Sequence, residues 1–337
     1  MLVRIASLSV PLVCTVLLAA DPPVEFRVSG PYTHDNLSLF LIHSLSGGKA
    51  THYLTLKDAM AQKKVVVHET KNVNELAIEN LSDQDVFIQG GDIVKGGAQD
   101  RMLSNDFVLA PRSGKVPISV FCVEHGRWSQ RGAEPARQFA SSADMAGAKN
   151  LKIAAQANKS QTDVWNEVAK TQGALAANTR AAGAGGGVGS GVRAPASPSS
   201  YQLSLESQPV AEAVEGYVKA LNGVAAGKAD VVGLAFAVNG EVNSADVYSS
   251  PELFAAMWPK LLKSSAVEAV RLLEKGKSFP PSSVSAVQAL LRDAEAGKES
   301  AVDINRRVKL VSRESDQEML FESRDGAGWI HRNYIKK

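Results

Sequence analysis

The densest group of residues able to do chemistry lies between positions 90 and 101, where paired glycines alternate with charged side chains. Gly96 and Gly97 permit positive φ angles and close backbone approach, so that successive amide groups can form a concave site for an anion. Arg101 and, further along the chain, Arg127 can each hold a phosphate or a carboxylate through two parallel hydrogen bonds. These residues predict a binding site for a small anionic ligand.

Acidic and amide side chains flank the same glycines and supply further functional groups. Asp92 and Glu124 are the candidate catalytic residues, because a carboxylate can act as a general base. Asp92, Asp100 and Glu124 can instead hold a divalent cation, and Gln99 can bind and orient a substrate. The alternative is a glycine-rich β-turn whose charged side chains are solvated or paired with one another. The segment is not a P-loop, since no Gly-Lys-Ser or Gly-Lys-Thr follows it.

Cys122 and His125 have the residue types of a nucleophile and its base. In an extended strand, however, Cys122 and Glu124 share one face while His125 points to the other. We therefore expect Cys122 to pack in the core, as free cysteines commonly do. The histidines show no paired spacing typical of metal ligands, so the sequence predicts neither a metal site nor a cofactor.

A second polar segment follows an apolar run at residues 231–238. Asn243, Asp246 and Tyr248 lie in this segment and are candidates to line a pocket together with the glycine-rich loop of the first half. Asn243 is the member of this group that we assign to ligand binding. A plain β-hairpin, turning at an Asn-Gly pair, explains the three residues equally well.

Short apolar runs broken by turn residues place the glycine-rich loop within a β-rich first half. The strands predicted there span residues 39–42, 64–68, 76–78, 86–88, 107–109 and 116–123, with a short helix at 57–62. Helical spacing then predicts helices over residues 144–158, 160–176, 208–221 and 282–296, and one that begins after Ser250. A hairpin at residues 231–248 and a final meander at residues 302–310, 318–322 and 329–334 complete the pattern. The predicted fold class is α+β, with a β-rich N-terminal half and a mixed C-terminal half ending in a small antiparallel meander.

The first 20 residues have the features of a secretory signal peptide. One early charge, Arg4, precedes an apolar run that ends in small residues before a polar start. We expect an exported protein, periplasmic or secreted, that is membrane-anchored only if this leader is retained. Its removal also removes Cys14, so that Cys122 stands alone and no intrachain disulfide can form.

The rest of the chain is expected to form one elaborated α+β unit. Its predicted parts are a β-rich segment at residues 21–128, a helical segment at 144–176, a flexible insertion rich in Gly, Ala, Pro and Ser at 177–200, and a mixed segment at 201–337. The insertion lacks the large apolar side chains that offset the entropy of ordering.

Composition excludes several broad classes of protein. With 337 residues, 45% of them hydrophobic, the chain can bury a sizeable core and is not generally disordered. Lys and Arg number 37 against 35 Asp and Glu, a formal charge of +2 that becomes +1 when Arg4 is subtracted with the leader. Nucleic-acid binding calls for a clustered basic excess, so we expect no nucleic-acid partner.

Four segments carry a resemblance to a known family: residues 91–101, 116–128, 234–242 and 320–332. The first three read Gly-Asp-Ile-Val-Lys-Gly-Gly-Ala-Gln-Asp-Arg, Val-Pro-Ile-Ser-Val-Phe-Cys-Val-Glu-His-Gly-Arg-Trp and Leu-Ala-Phe-Ala-Val-Asn-Gly-Glu-Val. Over most of its length the chain resembles the ARG-and-rhodanese-phosphatase-associated protein domain family. Because the resemblance spans both sides of residues 177–200, it implies that this segment is an insertion within one unit.

The resemblance also implies a site and a metabolic setting. Carried over residue by residue, it suggests a site made of Asp92, Gln99, Arg101, Glu124 and Arg127. The family's name reflects association with ADP-ribosylglycohydrolase and phosphatase-type proteins, which implies a role near ADP-ribose or NAD-derived metabolites. The predicted leader argues against that setting, since such metabolites are scarce outside the cytoplasm.

Three functions remain compatible with the sequence. The first is a binding or accessory module for a small anionic ligand or a partner protein of the cell envelope. The second is a hydrolase that acts on a phosphate- or ribose-containing substrate, with Glu124 or Asp92 as base and Arg101 and Arg127 stabilising charge. The third is a structural protein of the cell envelope. We rank the hydrolase last, because no complete catalytic constellation can be assembled from these residues.

Overall fold

A computed structural model describes residues 26–46, 52–70, 72–127, 131, 138–179, 191–326 and 328–337. The predicted leader, Trp128 and the centre of the expected insertion lie outside the described residues, and the predictions made for them stay predictions.

Strands and helices alternate irregularly along the described chain. The strands are β1 (Phe26–His34), β2 (Leu37–Ser44), β3 (Leu54–Thr55), β4 (Val65–Glu69), β5 (Glu75–Asn80), β6 (Val86–Ile88), β7 (Asp92–Gly96), β8 (Arg101–Leu103), β9 (Phe107–Leu109), β10 (Gly114–Cys122), β11 (Phe139–Met145), β12 (Val231–Val238), β13 (Glu241–Tyr248), β14 (Lys298–Asp303), β15 (Val308–Glu314), β16 (Glu318–Asp325) and β17 (Gly328–Lys336). The helices are α1 (Leu56–Ala61), α2 (Lys149–Gln156), α3 (Gln161–Asn178), α4 (Tyr201–Leu205), α5 (Gln208–Leu221), α6 (Pro251–Arg271) and α7 (Val284–Glu295). The α+β class predicted from the sequence is confirmed.

The largest sheet joins the two ends of the chain. Its strand order is β1-β2-β12-β13-β17-β16-β15-β14, and every neighbouring pair in it is antiparallel. The N-terminal strand β2 pairs directly with β12 from the second half. Two smaller sheets, β11-β7-β8-β10-β5-β4 and β3-β6-β9, come mainly from the first half. The two halves of the chain therefore share one sheet, because the β1–β2 hairpin pairs with β12.

The core lies on both faces of the large sheet. Side chains of a strand alternate between the faces, and β2 is buried on both. Leu39 and Leu41 face a cluster that includes the helices α5 and α6, whereas Phe40 and Ile42 face α7. The continuous apolar run of β12 is likewise buried at every position, as its sequence predicts.

Helix α6 begins where its sequence signals place it. The Ser250 hydroxyl accepts a hydrogen bond from the Leu253 amide at 3.1 Å, and Pro251 occupies the first turn. The helix continues through Pro259 to Arg271, and its inward face packs against β12. Among the described helices, none is both long enough and apolar enough to cross a membrane.

The final strands differ from the expected meander by one extra strand. The predicted strand at residues 302–310 is two strands, β14 and β15, so the meander has four strands rather than three. The side chain of Asn305 closes the turn between them by accepting hydrogen bonds from the Arg307 and Val308 amides. An Asn side chain that replaces backbone partners in this way makes a tight turn without glycine or proline.

Two further segments differ from their sequence-based assignments. The expected helix at residues 144–158 starts only at Lys149, because β11 pairs with β7 up to Met145. The Ala- and Ser-rich sequence of β11 does not predict a strand, and the pairing of β11 with β7 determines its conformation. The glycine-rich loop at residues 90–101 is a β-hairpin in which β7 and β8 flank a turn.

Candidate functional site

The paired glycines form the turn between β7 and β8. Gly96 has a φ of +118° and Gly97 a φ of +54°, both in the region that favours glycine. A Cβ atom at Gly97 would lie 2.4 Å from the Glu69 carboxylate and from the Phe139 ring. Both the backbone conformation and the close packing of β11 therefore require glycine here.

The turn forms an anion site, and carboxylates of the chain itself occupy it. The amide of Gly96 donates to Asp100 Oδ1 at 2.9 Å, and the amide of Ala98 donates to Glu69 Oε1 at 2.6 Å. The amide of Asp100 in turn donates to Glu124 Oε2 at 3.0 Å. Backbone amides at this turn bind negative charge, as the sequence suggests, but the charges are internal.

Two arginines complete this arrangement. Arg127 holds the carboxylate of Glu124 through its Nε and Nη2 atoms, each at 2.7 Å, and Arg131 holds Asp100 at 2.7 and 3.1 Å. Both carboxylates and Arg131 are buried. We name Gly96, Gly97, Asp100, Glu124, Arg127 and Arg131 the turn cluster. Its arginines clamp carboxylates in the predicted two-bond geometry, but the carboxylates are those of the protein.

The carboxylate of Glu124 is stabilised in its ionised form. Burial raises its pKa, but hydrogen bonds from Arg127, Ser197 and the Asp100 amide outweigh burial and hold the pKa below its usual range. A general base needs a free lone pair and a pKa close to the working pH. Glu124 is thus placed as a structural anion in this geometry.

The other predicted members of the segment are also buried. Arg101 lies in β8 with about 1% of its surface exposed, and Gln99 is fully buried in the turn. Neither amide atom of Gln99 makes a hydrogen bond to any residue that the structure describes. Asp92 forms an ion pair of 2.5 Å with Lys260 of α6, and its second oxygen accepts from the Gln89 amide at 3.1 Å. That pair joins the hairpin to α6.

Cys122 and Asn243 are both buried. Cys122 is buried at the end of β10, and burial raises the pKa of its thiol. Its backbone pairs with the side chain of Gln161, which docks α3 on that strand. Asn243 donates to Glu268 of α6 at 3.4 Å and does not join the other polar residues of its strand.

A second cluster, centred on His331, assembles from the register of the large sheet. Ser323, His331 and Tyr248 are opposite one another on β16, β17 and β13. Asp246 and Asn333 form the next pair along, two residues away, and so lie on the same face. Five chemically active side chains therefore project from one patch of the sheet.

The imidazole of His331 lies between two carboxylates. Its Nδ1 is 2.8 Å from Asp106 Oδ2, and its Nε2 is 3.1 Å from Asp246 Oδ1. Lys152 of α2 approaches Asp246 at 3.4 Å. Tyr248 stacks on the imidazole with the ring centres 4.7 Å apart. We name Gln89, Asp106, Lys152, Asp246, Tyr248 and His331 the histidine cluster.

Gln89 links this cluster to the first half of the chain. Its side-chain Nε2 donates to Asp246 Oδ1 at 3.2 Å, and its side-chain Oε1 accepts from the Tyr248 hydroxyl at 2.6 Å. Asp246 and Tyr248 thus contact the residue that directly precedes the glycine-rich hairpin.

Electrostatics in the histidine cluster favour a charged imidazole. Burial lowers the pKa of His331, but the charge and hydrogen bond of Asp106 and the hydrogen bond of Asp246 outweigh it and raise the pKa to about 9. The pKa of Asp106 and that of Asp246 both lie below their usual range, because their cationic neighbours outweigh the effect of burial. At neutral pH the cluster is an imidazolium between two carboxylates.

The residues that sequence analysis missed are Arg131, Asp106, Lys152, Gln89 and His331. His331 and Asp106 are 225 positions apart, and no local spacing links them. An available signal was His331 itself, a titratable side chain in a strand that also carries Trp329, Ile330, Tyr334 and Ile335. Of the predicted site residues, the turn cluster contains Gly96, Gly97, Asp100, Glu124 and Arg127. Asp92 and Asn243 instead contact Lys260 and Glu268 of α6 and belong to neither cluster.

The requirement for glycine at position 97 can be measured. We expect Gly97→Ala to lower the free energy of unfolding by more than the roughly 1–2 kcal/mol of a left-handed backbone alone, because its Cβ also meets Glu69 and Phe139. Gly114→Ala is the matched control, with a φ of +62° and nothing within 4 Å of its Cβ. Urea unfolding of both variants makes the comparison, and equal losses would contradict the packing argument.

The structural role of Glu124 predicts a large effect of neutralising it. Glu124→Gln leaves Arg127 and Arg131 facing a neutral side chain in a buried site, and we expect a loss of about 3–5 kcal/mol in unfolding free energy. The exposed pair of Asp83 and Arg112 provides the control, since Asp83→Asn should unfold almost as wild type does. If Glu124→Gln has the same free energy of unfolding as the wild type, the structural role of Glu124 is contradicted.

The raised pKa of His331 predicts a pH dependence of stability. Its folded pKa, about 9, exceeds the ordinary value of 6.5, so its contribution is complete below pH 6.5 and is lost as the pH rises towards 9. We expect the free energy of unfolding to fall across this interval in the wild type. The fall should be much smaller in His331→Gln and unchanged in a His52→Gln control. Parallel curves for wild type and His331→Gln would refute the assignment.

Comparison with known proteins identifies the family. The chain matches no curated protein and no solved structure. Residues 25–335 match the model of the ARG and Rhodanese-Phosphatase-superfamily-associated Protein domain. This match covers both clusters, every strand of the large sheet apart from the last residue of β17, and both sides of the glycine-rich segment. The chain therefore belongs to the ARG and Rhodanese-Phosphatase-superfamily-associated Protein domain family.

Proposed function

We propose that this chain is an exported binding module that takes a small anionic ligand in a groove beside helix α3. Export rests on the leader-like sequence of residues 1–20. The ligand class rests on the chemistry of the groove, whose described lining has hydrogen-bond donors and a positive charge but no carboxylate.

The groove is large enough for a metabolite. It encloses about 390 Å³, within the range of small-molecule sites. One wall is α3 and the other is the segment that precedes α4. The described residues that line it are His125, Thr162, Trp165, Asn166, Val168, Ala169, Gln172, Arg193, Pro198 and Ser199.

Two side chains give the groove its preference for an anion. Arg193 is exposed and forms no ion pair with a residue in the described ranges. The indole Nε1 of Trp165 is a buried donor that bonds to none of the described residues. Trp165 also contacts the ring of His125 edge to face, with centres 4.5 Å apart. A ligand that accepts hydrogen bonds and carries negative charge complements this surface.

The turn cluster holds the second wall of the groove in place. The Ser200 hydroxyl donates to Asp100 Oδ2 at 2.8 Å, and Arg131 donates to the same hydroxyl at 3.3 Å. Gln172 of α3 donates to the carbonyls of Pro198 and Ser200, each at 3.2 Å. Asp100, which the sequence predicts to bind a ligand, therefore stabilises the wall of the groove instead.

The geometry favours binding over hydrolysis. Both candidate catalytic carboxylates, Asp92 and Glu124, are buried in ion pairs, and a hydrolytic base needs access to water and substrate. A purely structural role in the cell envelope gives no reason for an open groove with an exposed arginine. These two observations rank the three functions.

Calorimetric titration tests the proposal. We expect ADP-ribose and inorganic pyrophosphate to bind the wild-type protein and uncharged adenosine to give no measurable heat. Arg193→Gln should weaken anion binding about tenfold or more, because a charge-assisted hydrogen bond contributes about 1.5–3 kcal/mol. Arg292→Gln, at an exposed arginine of α7, serves as the control and should bind as wild type does.

Each other outcome contradicts part of the proposal. The absence of heat with both anions rules out this ligand class. Equal affinity in Arg193→Gln and wild type places binding outside the groove. Turnover of ADP-ribose by the wild-type protein would show a hydrolase rather than a binding module.

A further inference from the structure

A small cavity lies beside the histidine cluster, where four parts of the fold meet. The hairpin contributes Gly90, the turn before β9 contributes Asn105, α2 contributes Gln156, and β17 contributes Asn333. Its free volume is about 10 Å³. That volume is about the smallest that accommodates a single water molecule, and it excludes a metabolite.

Three amide oxygens at this cavity make no hydrogen bond to a described residue. They are Asn105 Oδ1, Gln156 Oε1 and Asn333 Oδ1. The orientation of Asn333 is fixed, because its Nδ2 donates to Ala245 O at 3.2 Å and to Asp246 Oδ1 at 2.9 Å. Its Oδ1 is therefore an acceptor, and a buried acceptor without a donor costs about 1–3 kcal/mol.

The cavity also holds a suitable donor for an occupant. Lys152 lines it and contacts the Asp246 carboxylate at 3.4 and 3.5 Å, long distances for an ammonium group with three protons. An occupant that accepts from Lys152 and donates to two of the three amide oxygens suits this lining. Water has this combination, with two donors and two acceptors.

The charge of the lining distinguishes water from a small cation. Asp106 and Asp246 contribute two negative charges, and Lys152 and protonated His331 contribute two positive charges. A neutral lining gives no net attraction for an ammonium or metal cation. A neutral occupant leaves this balance intact.

We propose that the cavity is a specific binding site for one water molecule, which donates to Asn333 Oδ1 and to Gln156 Oε1 and accepts from Lys152. The water joins α2 to β17. It also extends the histidine cluster from the buried Asp246 to the half-buried Gln156 at the rim of the cavity.

A crystal structure of the full chain, grown without ammonium and refined at a resolution that shows ordered water, tests the site. We expect one density peak about 2.7–3.2 Å from Asn333 Oδ1 in every copy of the molecule. A cavity without density overturns the proposal. Density that is present only in a second set of crystals grown with ammonium also overturns it. So does a cavity that the Lys152 side chain fills.

A pair of variants tests which groups hold the water. Gln156→Leu removes one acceptor at the rim and places apolar atoms there, and we expect the peak to be lost while Asn333 keeps its position. Gln288→Leu makes the same change at an exposed position of α7 and should keep the peak. Gln156 is only half-buried, so its variant is expected to fold, which thermal unfolding checks. A peak unchanged in Gln156→Leu would overturn the proposed set of partners.

Discussion

The structure depends on neutralising two buried carboxylates at one turn. Asp100 and Glu124 are fully removed from solvent, and an ionised carboxylate in that position is stable only with several charged or polar partners. The turn amides, Arg127 with Arg131, and Ser200 are those partners, and they come from three separate segments of the chain. The hairpin, the segment after β10 and the wall of the groove must therefore meet before any of them is stable.

This constraint explains both what the sequence predicted and where it was misleading. Periodicity located β6, β9, α5, β12 and β13 at their observed bounds, since local burial alone determines those patterns. It failed at β11 and at the β14–β15 turn. In the first case pairing with β7 sets the conformation, and in the second a single Asn side chain closes the turn. Tertiary contacts decide such segments, and no local pattern records them.

In the candidate site, too, the residue types predict the kind of interaction but not the residues that take part in it. Glycine amides and arginines at this spacing do bind carboxylates in pairs of hydrogen bonds, as their types predict. The carboxylates that they bind here are those of Asp100 and Glu124, and contacts between separate segments of the chain determine this choice. For His331 the difficulty is greater, because Asp106 and Asp246 lie 225 and 85 positions away along the chain. Only the register of β13, β16 and β17 brings these groups together.

The buried ion pairs of the turn cluster and the groove beside α3 are connected through the wall that contains Ser200. A binding surface gains affinity when its walls are fixed before the ligand arrives, since less freedom is then lost on binding. The turn cluster fixes one wall of the groove through Ser200, and Gln172 joins that wall to α3. Arg193 lies beyond these contacts and is exposed, and the described residues that line the groove include no carboxylate. Because the charges of the turn cluster neutralise one another, we assign the attraction for an anion in the proposed site to Arg193.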